Sequence, residues 1–295
     1  MRYNMFIKVL YSLLSLCAIS LLSGESSEIV FNDKPEIFIV GTIHSRHFNP
    51  EYHYSLLDLQ TQICALKPDL VCGEITPEAY ENVMEGYFPQ EAAFLAQMAS
   101  ILNYRFEPVD WRLNYATQLK AEKEYPESVL EKVSSFAKTY FARFKESDSP
   151  SVYDDIHNEM NIAIVDSLFE KIIGANQIAE IAHGNWNERN RRIVENGLAA
   201  SRNAHRIVFV FGSDHIPQIR RQLEVLGYKV RIPARQFEPC NNFKVSDEVL
   251  ERWQRNLKNL KLIREGKIQV NEDDYQKLIN SHRIEDLELA IQKST

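Results

Sequence analysis

Two stretches of the chain share one pattern, in which an apolar run of strand type ends in Gly-x-x-His. The first is Phe38–His44 (FIVGTIH), and the second is Val208–His215 (VFVFGSDH). Runs of β-branched and aromatic residues of this length predict buried strands. A glycine at the end of such a strand lets backbone or ligand approach closely, because no Cβ is in the way. We therefore expect each histidine just past the carboxyl end of its strand, where open parallel sheets bind their ligands.

Each stretch is followed by a helical pattern and a second strand. The first leads into a helix over Tyr52–Lys67 and a strand over Asp69–Ile75. The second leads into a helix over Ile216–Leu226 and a strand over Tyr228–Ile232. Alternation of this kind is typical of parallel crossover units. We predict an α/β fold whose central, largely parallel sheet is built from two similar strand-helix-strand units.

The segments between the two units are predicted to be mostly helical. One helix opens with Thr76 as its N-cap and another covers Glu91–Leu102. A third strand is predicted over Tyr104–Arg112, where Pro108 favours an edge position or an early end. Residues 113–185 carry no strand signal, so we predict a helical insertion that covers or flanks the site.

The predicted α/β domain spans residues 25–235, and residues 236–295 are predicted to form a C-terminal helical extension. Helices are expected over Asp247–Gly266 and Asp273–Lys293. One face of the first carries four apolar residues, Leu250, Trp253, Leu257 and Leu260. Such a stripe either forms an oligomer seam or packs on the parent domain, so the sequence leaves the oligomeric state open.

Residues 1–24 are typical of a secretory signal peptide. The apolar run Val9–Leu22 has 14 residues, fewer than the ~20 that a spanning helix needs. Ser23 and Gly24 follow it and offer small residues for cleavage. We expect a secreted or periplasmic protein, with membrane association through an uncleaved N-terminal segment as the alternative.

The net charge limits the classes of partner that we expect, and the number of cysteines limits the disulfides that can form. The formal net charge is −7 and no glycine-rich phosphate loop is present, so no nucleic-acid partner is expected. Beyond the predicted signal lie three cysteines, Cys64, Cys72 and Cys240, which allow at most one internal disulfide. Cys64 falls on a predicted helix and Cys72 in a predicted strand, and we expect both to be buried as small hydrophobic residues.

His44, Glu74 and His215 are the predicted metal ligands. If the two units pair in one sheet, both imidazoles emerge at the same edge, and Glu74 also follows a strand. Two neutral imidazoles and a carboxylate suit a divalent ion such as manganese, cobalt or zinc. A carboxylate in apolar surroundings is costly unless it is paired or binds a metal. The alternative is that the histidines cap the strand ends and that Glu74 pairs with an arginine.

Asp110 and Arg189 are further candidates for a catalytic role, together with Glu74. Asp110 ends the third strand and suits a metal ligand, a general base or an acceptor that orients a ligating histidine. The alternatives are a helix N-cap and a surface pair with Arg112. Arg189 and Arg192 share a helix face, and one of them could bind a substrate carboxylate or a developing oxyanion. The alternative is a solvated basic face.

These motifs resemble those of the TraB/GumN family, which includes the Tiki proteins and is related to the erythromycin-esterase and ChaN-like superfamily. The resemblance covers roughly Ile37–Ile232, apart from the helical insertion. The matching pieces are Gly41–His44, Glu74, Val109–Arg112, Glu188–Asn190, and Phe211–His215 followed by Leu226–Val230. The resemblance implies an α/β core in which the two histidines and the glutamate form a metal-dependent hydrolytic site. Tiki proteins are described as metalloproteases supported by manganese or cobalt.

We therefore predict a secreted metal-dependent hydrolase that cleaves a peptide or ester bond of a peptide or small-molecule substrate. His44, Glu74 and His215 would hold the ion, Asp110 would move the proton and Arg189 would stabilise the oxyanion. The alternative is a non-catalytic protein of the same fold that binds haem, a metal or a peptide.

Overall fold

A computed structural model describes residues 34–145 and 147–295, and the predicted signal peptide lies outside this range. The described chain contains a five-stranded, all-parallel sheet in the order β3-β2-β4-β1-β5. The strands are β1 (Glu36–Thr42), β2 (Leu70–Gly73), β3 (Arg105–Pro108), β4 (Arg206–Gly212) and β5 (Val230–Arg231). The α/β fold and the parallel sheet are confirmed, and β3 with Pro108 lies at the predicted edge.

The two crossover units interleave in this sheet. The first unit is β1, a helix and β2, and the second is β4, a helix and β5. Strand β4 lies between β1 and β2, while β1 lies between β4 and β5. Each unit therefore encloses a strand of the other, and the central pair β1–β4 joins distant parts of the chain.

Twelve α-helices surround the sheet in the described chain. The first unit and its exit contain α1 (Leu56–Leu66) and α2 (Gln90–Leu102). The insertion contains α3 (Tyr115–Lys123), α4 (Glu127–Lys145), α5 (Val152–Ile156), α6 (Glu159–Leu168) and α7 (Gln177–Ala182), with a π-helical turn over Phe169–Ile173. The second unit contains α8 (Trp186–Ala200) and α9 (Ile216–Val225), and the C-terminal helices are α10 (Asp247–Arg264), α11 (Glu272–Ile279) and α12 (Arg283–Ser294).

Alternating side chains of the strands face two separate apolar layers. Phe38 and Val40 of β1 belong to a cluster with α1, α2 and the C-terminal helices. Ile37 and Ile39 belong to a cluster with α8 and α9 on the opposite face. All four side chains are buried, as expected for a strand covered on both faces.

Three local predictions were wrong. Thr76 opens a series of turns, followed by a short 3₁₀ turn over Glu85–Tyr87, rather than a helix. The last predicted helix is two helices, α11 and α12, separated by a break at Asn280–His282. Cys64 is exposed, whereas Cys72 is buried as predicted. Cys64 lies on the outer face of α1, where helical spacing alone does not require burial.

The C-terminal helices share the core of the α/β domain. Trp253 and Leu260 of α10 are fully buried, and Leu250 and Leu257 pack beside them. The apolar stripe therefore packs on the parent domain, and residues 35–295 form one compact unit. Over the described residues, none of the helices has the length and apolar content needed to cross a bilayer.

Candidate functional site

The two Gly-x-x-His motifs meet at the carboxyl edge of the sheet. Strands β1 and β4 are parallel neighbours, and their register pairs Gly41 with Phe211 and Thr42 with Gly212. The chain leaves both strands in short 3₁₀ turns that carry His44 and His215. The predicted convergence of the two motifs at one edge is confirmed by this register.

Two acidic side chains hold and face the imidazole of His44. Its Nδ1 lies 2.7 Å from Oε1 of Glu91, which also accepts a 2.7 Å hydrogen bond from the Thr42 hydroxyl. Its Nε2 lies 3.9 Å from Oε2 of Glu74. A Cβ on Gly212 would fall 2.6 Å from this Nε2. The glycine therefore makes room for the imidazole, which leaves 35% of its side-chain surface exposed.

The charge state of His44 follows from these neighbours. Burial by itself would lower its pKa, but the carboxylates of Glu91 and Glu74 outweigh burial and raise the pKa above the usual 6.5. Partial exposure of the side chain weakens the opposing effect of burial, so the direction agrees with the geometry. Burial also opposes the charge on Glu91, yet His44 lowers the pKa of that carboxyl.

His215 is held in a drier environment. Its Nδ1 lies 2.7 Å from Oδ1 of Asn190, whose Nδ2 donates to the Trp186 carbonyl and so fixes the amide orientation. Nδ1 is therefore the protonated nitrogen, and Nε2 keeps a lone pair. The ring stacks on Trp186 with centroids 4.2 Å apart. Burial, and then Arg189, hold the pKa of His215 well below 6.5, so the imidazole is neutral.

Glu74 is a buried carboxylate with partners on both oxygens. Oε1 accepts hydrogen bonds from Nη2 of Arg189 at 3.0 Å and from Nη2 of Arg112 at 3.2 Å. Oε2 accepts a 2.7 Å bond from the backbone N–H of Gly212. Burial alone would raise the pKa of Glu74, but His44, the arginines and His215 lower it well below its usual value. The arginine pairing that the sequence left open is thus present, while Oε2 faces His44.

Asp110 and Arg189 form the base of the site. Asp110 accepts from Nε and Nη2 of Arg189, each at 2.9 Å, from Nε of Arg112 at 2.8 Å, and from the Trp111 N–H at 2.8 Å. The side chain of Asp110 has no exposed surface. This arrangement favours a positioning role for Asp110. Arg189 in turn is bound to the carboxylates of Asp110 and Glu74. The pair with Arg112 is present but lies at the site rather than on the surface.

The side chains of His44, Glu74 and His215 are of types that bind a divalent ion, although the three are not all spaced to share one. Over residues 34–145 and 147–295, no group of three or more His, Cys, Asp or Glu side chains is spaced to hold an ion. The pair His44 Nε2 and Glu74 Oε2, 3.9 Å apart, has a spacing that two ligands of one ion can adopt, given bonds of ~2.0–2.2 Å. Both histidines also bond through Nδ1 to an oxygen, which is usual for metal-binding histidines.

Glu91 and Asn190 are, together with Arg112, site residues to which the sequence assigned no functional role. Glu91 lies in the first turn of α2, and Asn190 lies one residue after Arg189 on α8. The quoted motif Glu188–Asn190 contained the second, but nothing in its spacing singled it out. Arg192 lies against the Trp111 ring and Glu188, so Arg189 alone of the two reaches the site.

Comparison with known proteins found no matching family model, no matching curated protein and no matching solved structure. The resemblance to the TraB/GumN family stays a prediction from the motifs, and the function is argued from the site.

Proposed function

We propose that this protein is a metal-dependent hydrolase that cleaves a peptide or ester bond. The observation that carries the proposal is the matched orientation of the two histidines. Each bonds through Nδ1 to an oxygen acceptor, Glu91 for His44 and Asn190 for His215. Each therefore directs Nε2 away from that acceptor as the available ligand atom.

A divalent ion held by His44, His215 and Glu74 would polarise the substrate carbonyl and lower the pKa of the attacking water. The chain supplies the orientation of these side chains. Glu91 and Asn190 fix the two rings, and Arg189 ties Glu74 to Asp110. Trp186 covers one face of His215 and is itself stacked on Phe169, with centroids 4.1 Å apart, which keeps water from that ring.

Arg112 is the residue best placed to stabilise a developing oxyanion. Its Nε and Nη2 bind Asp110 and Glu74, while Nη1 has no hydrogen-bond acceptor among the described residues. A quarter of its side-chain surface, 25%, is exposed. A preorganised donor of this kind stabilises negative charge in the transition state, typically by about 3 kcal/mol. In our proposal Arg112 takes the oxyanion role that the sequence suggested for Arg189.

The proposal is tested by metal content and hydrolysis together. The mature protein, dialysed against manganese, cobalt or zinc, is expected to retain about one ion per chain and to hydrolyse peptide or ester substrates. His44→Ala and His215→Ala should each lose both properties. His205→Ala is the control, because His205 is an exposed histidine ahead of β4. Equal metal content in all four proteins would contradict the proposal.

One observation favours the alternative of a non-catalytic binding protein. Every oxygen of Asp110 is engaged by arginines or backbone, so the proton carrier expected from the sequence is already committed. A protein that binds metal through both histidines, or gives a Soret shift with haem, but hydrolyses no peptide or ester would support this alternative.

A further inference from the structure

A cavity of about 300 Å³ lies beside the site, between the turns after β2 and the C-terminal helices. Arg112, which binds Glu74 and Asp110 in the site, is also part of the cavity wall. The volume is at the lower end of the range for small-molecule sites. The cavity is therefore placed to receive a part of a substrate whose reacting bond lies at the site.

Part of the cavity wall is apolar and aromatic, and polar side chains line the rest of it. The apolar part includes Met84, Tyr87 and Phe88, and Val270 from the C-terminal extension. The rings of Tyr87 and Phe88 meet edge to face at 5.5 Å, and the Arg112 guanidinium lies 5.4 Å from the Phe88 centroid. This wall suits an aromatic or aliphatic group, whose burial there removes apolar surface from water.

The charges around the cavity do not favour an anionic ligand. Lys277 is paired with Asp273 at 2.9 Å and Asp274 at 3.4 Å. Arg112 is paired with Asp110 and Glu74. Nη1 of Arg112, which has no hydrogen-bond acceptor among the described residues, suits a neutral carbonyl oxygen.

We propose that this cavity binds an apolar side chain next to the reacting carbonyl and that Arg112 holds an adjacent carbonyl oxygen. The ligand class is therefore a neutral peptide or ester with an aromatic or aliphatic side chain. This inference rests on the proposed function for its role in turnover, but the binding step exists without it. The C-terminal extension, through Val270, takes part in substrate recognition.

Binding of N-acetyl-L-phenylalanine methylamide to the chelator-treated protein tests the inference without turnover. Dissociation constants are measured by saturation-transfer NMR for the wild type, Val270→Trp and Val83→Trp, whose new indoles fill the cavity. We expect the filled variants to bind at least tenfold more weakly, and Arg112→Met several-fold more weakly. Val225→Trp, at an exposed position on α9, is the matched control and should bind like the wild type.

Specificity is tested with N-acetylglycine methylamide, which lacks the apolar side chain and should bind at least tenfold more weakly than the phenylalanine compound. Circular dichroism establishes that each variant is folded, and the two filling variants serve as independent checks. Absence of binding to the wild type, or an unchanged dissociation constant in a folded filled variant, overturns the inference. A protein that binds the probe but hydrolyses nothing refutes only the proposed function.

Discussion

At the scale of single residues, the site depends on which nitrogen of each histidine is committed. His44 and His215 differ in exposure and in charge state, yet both bond through Nδ1 to an oxygen. The acceptor is a carboxylate for His44 and an amide for His215. The carboxylate raises the pKa of His44, whereas burial lowers the pKa of His215. The partly exposed imidazole of His44 is therefore the one that takes up a proton more readily, while His215 stays neutral.

Glu91→Gln should lower the pKa of His44 in the metal-free protein. The carboxamide keeps an acceptor oxygen for Nδ1 but removes the negative charge that raises the pKa of His44, so the pKa should fall. NMR titration of the imidazole Cε1–H measures the change, with the exposed His205 as an internal control. An unchanged pKa would show that Glu91 does not control the charge of His44.

The same pair sets a pH dependence of stability. Because the pKa of His44 is raised in the folded protein, the His44–Glu91 interaction stabilises the metal-free fold below about pH 6.5, down to the pH at which the Glu91 carboxylate becomes protonated. That contribution is lost as the pH rises through the folded pKa, and Glu91→Gln should weaken the dependence.

Sequence reasoning identified His44, Glu74 and His215 because each follows a strand and the sheet edge brings strand ends together. It did not assign a role to Glu91 or Asn190, which lie on helices α2 and α8. Their roles depend on the rotation of those helices and on rotamers, and spacing along the chain specifies neither. Asp110 was identified, but the number of its partners was not predictable, since Arg112 and Arg189 reach it from separate elements.

At the scale of elements, the ends of β1 and β4 are shaped by close approach. Gly212 ends β4 with an ordinary negative φ, so its value lies in the absent side chain rather than in backbone freedom. The turn after β1 places His44 at a φ of 53°, a conformation that non-glycine residues adopt uncommonly. The backbone strain at His44 and the space left by Gly212 together set the position of the His44 imidazole.

Gly212→Ala should remove metal binding while leaving the fold in place. The new Cβ would lie 2.6 Å from Nε2 of His44, and the ring must turn away from Glu91 to avoid it. We expect at least a tenfold loss of metal affinity by isothermal titration. Gly266→Ala is the control, because it strains a positive φ of 70° while its Cβ would meet no atom within 4 Å, so it should affect only stability.

If Gly212→Ala binds the metal with wild-type affinity in this titration, His44 is free to move without penalty.

The element predictions succeeded where periodicity is strong, as for α1, α2 and α10. They failed after β2, where Thr76 and Pro77 suit a helix start but the following residues form turns around the buried Glu85. The local sequence pattern carries no information on the tertiary contacts of this glutamate.

At the scale of the whole molecule, the C-terminal extension is tied to the α/β domain by a buried ion pair. Arg252 of α10 binds Glu85 through Nε at 2.7 Å and Nη2 at 3.1 Å, and Asn256 adds a 2.9 Å bond. Both charged residues are almost fully buried. The pair fixes the turns that carry Tyr87, so the extension supports the cavity wall as well as the core.

Arg252→Met should destabilise the protein by about 3 kcal/mol, because it leaves the buried Glu85 carboxylate without its counter-charge. Urea unfolding measures the loss. Lys261→Ala, which breaks the exposed pair with Glu288, is the control and should cost under about 1 kcal/mol. A loss for Arg252→Met no larger than that of the control would mean that the pair does not anchor the extension.

Among the described strands, β4 alone joins the two halves of the sheet, since β1 pairs with β4 and β5 while β2 pairs with β3 and β4. Arg206 at its start bonds to Glu36, 170 positions earlier. During synthesis, β1 must therefore wait unpaired until β4 is made, and β2, which can pair early with β3, keeps one open edge for as long. Assembly of this sheet is a late event, and the nascent chain is most exposed to aggregation and proteolysis just before β4 arrives.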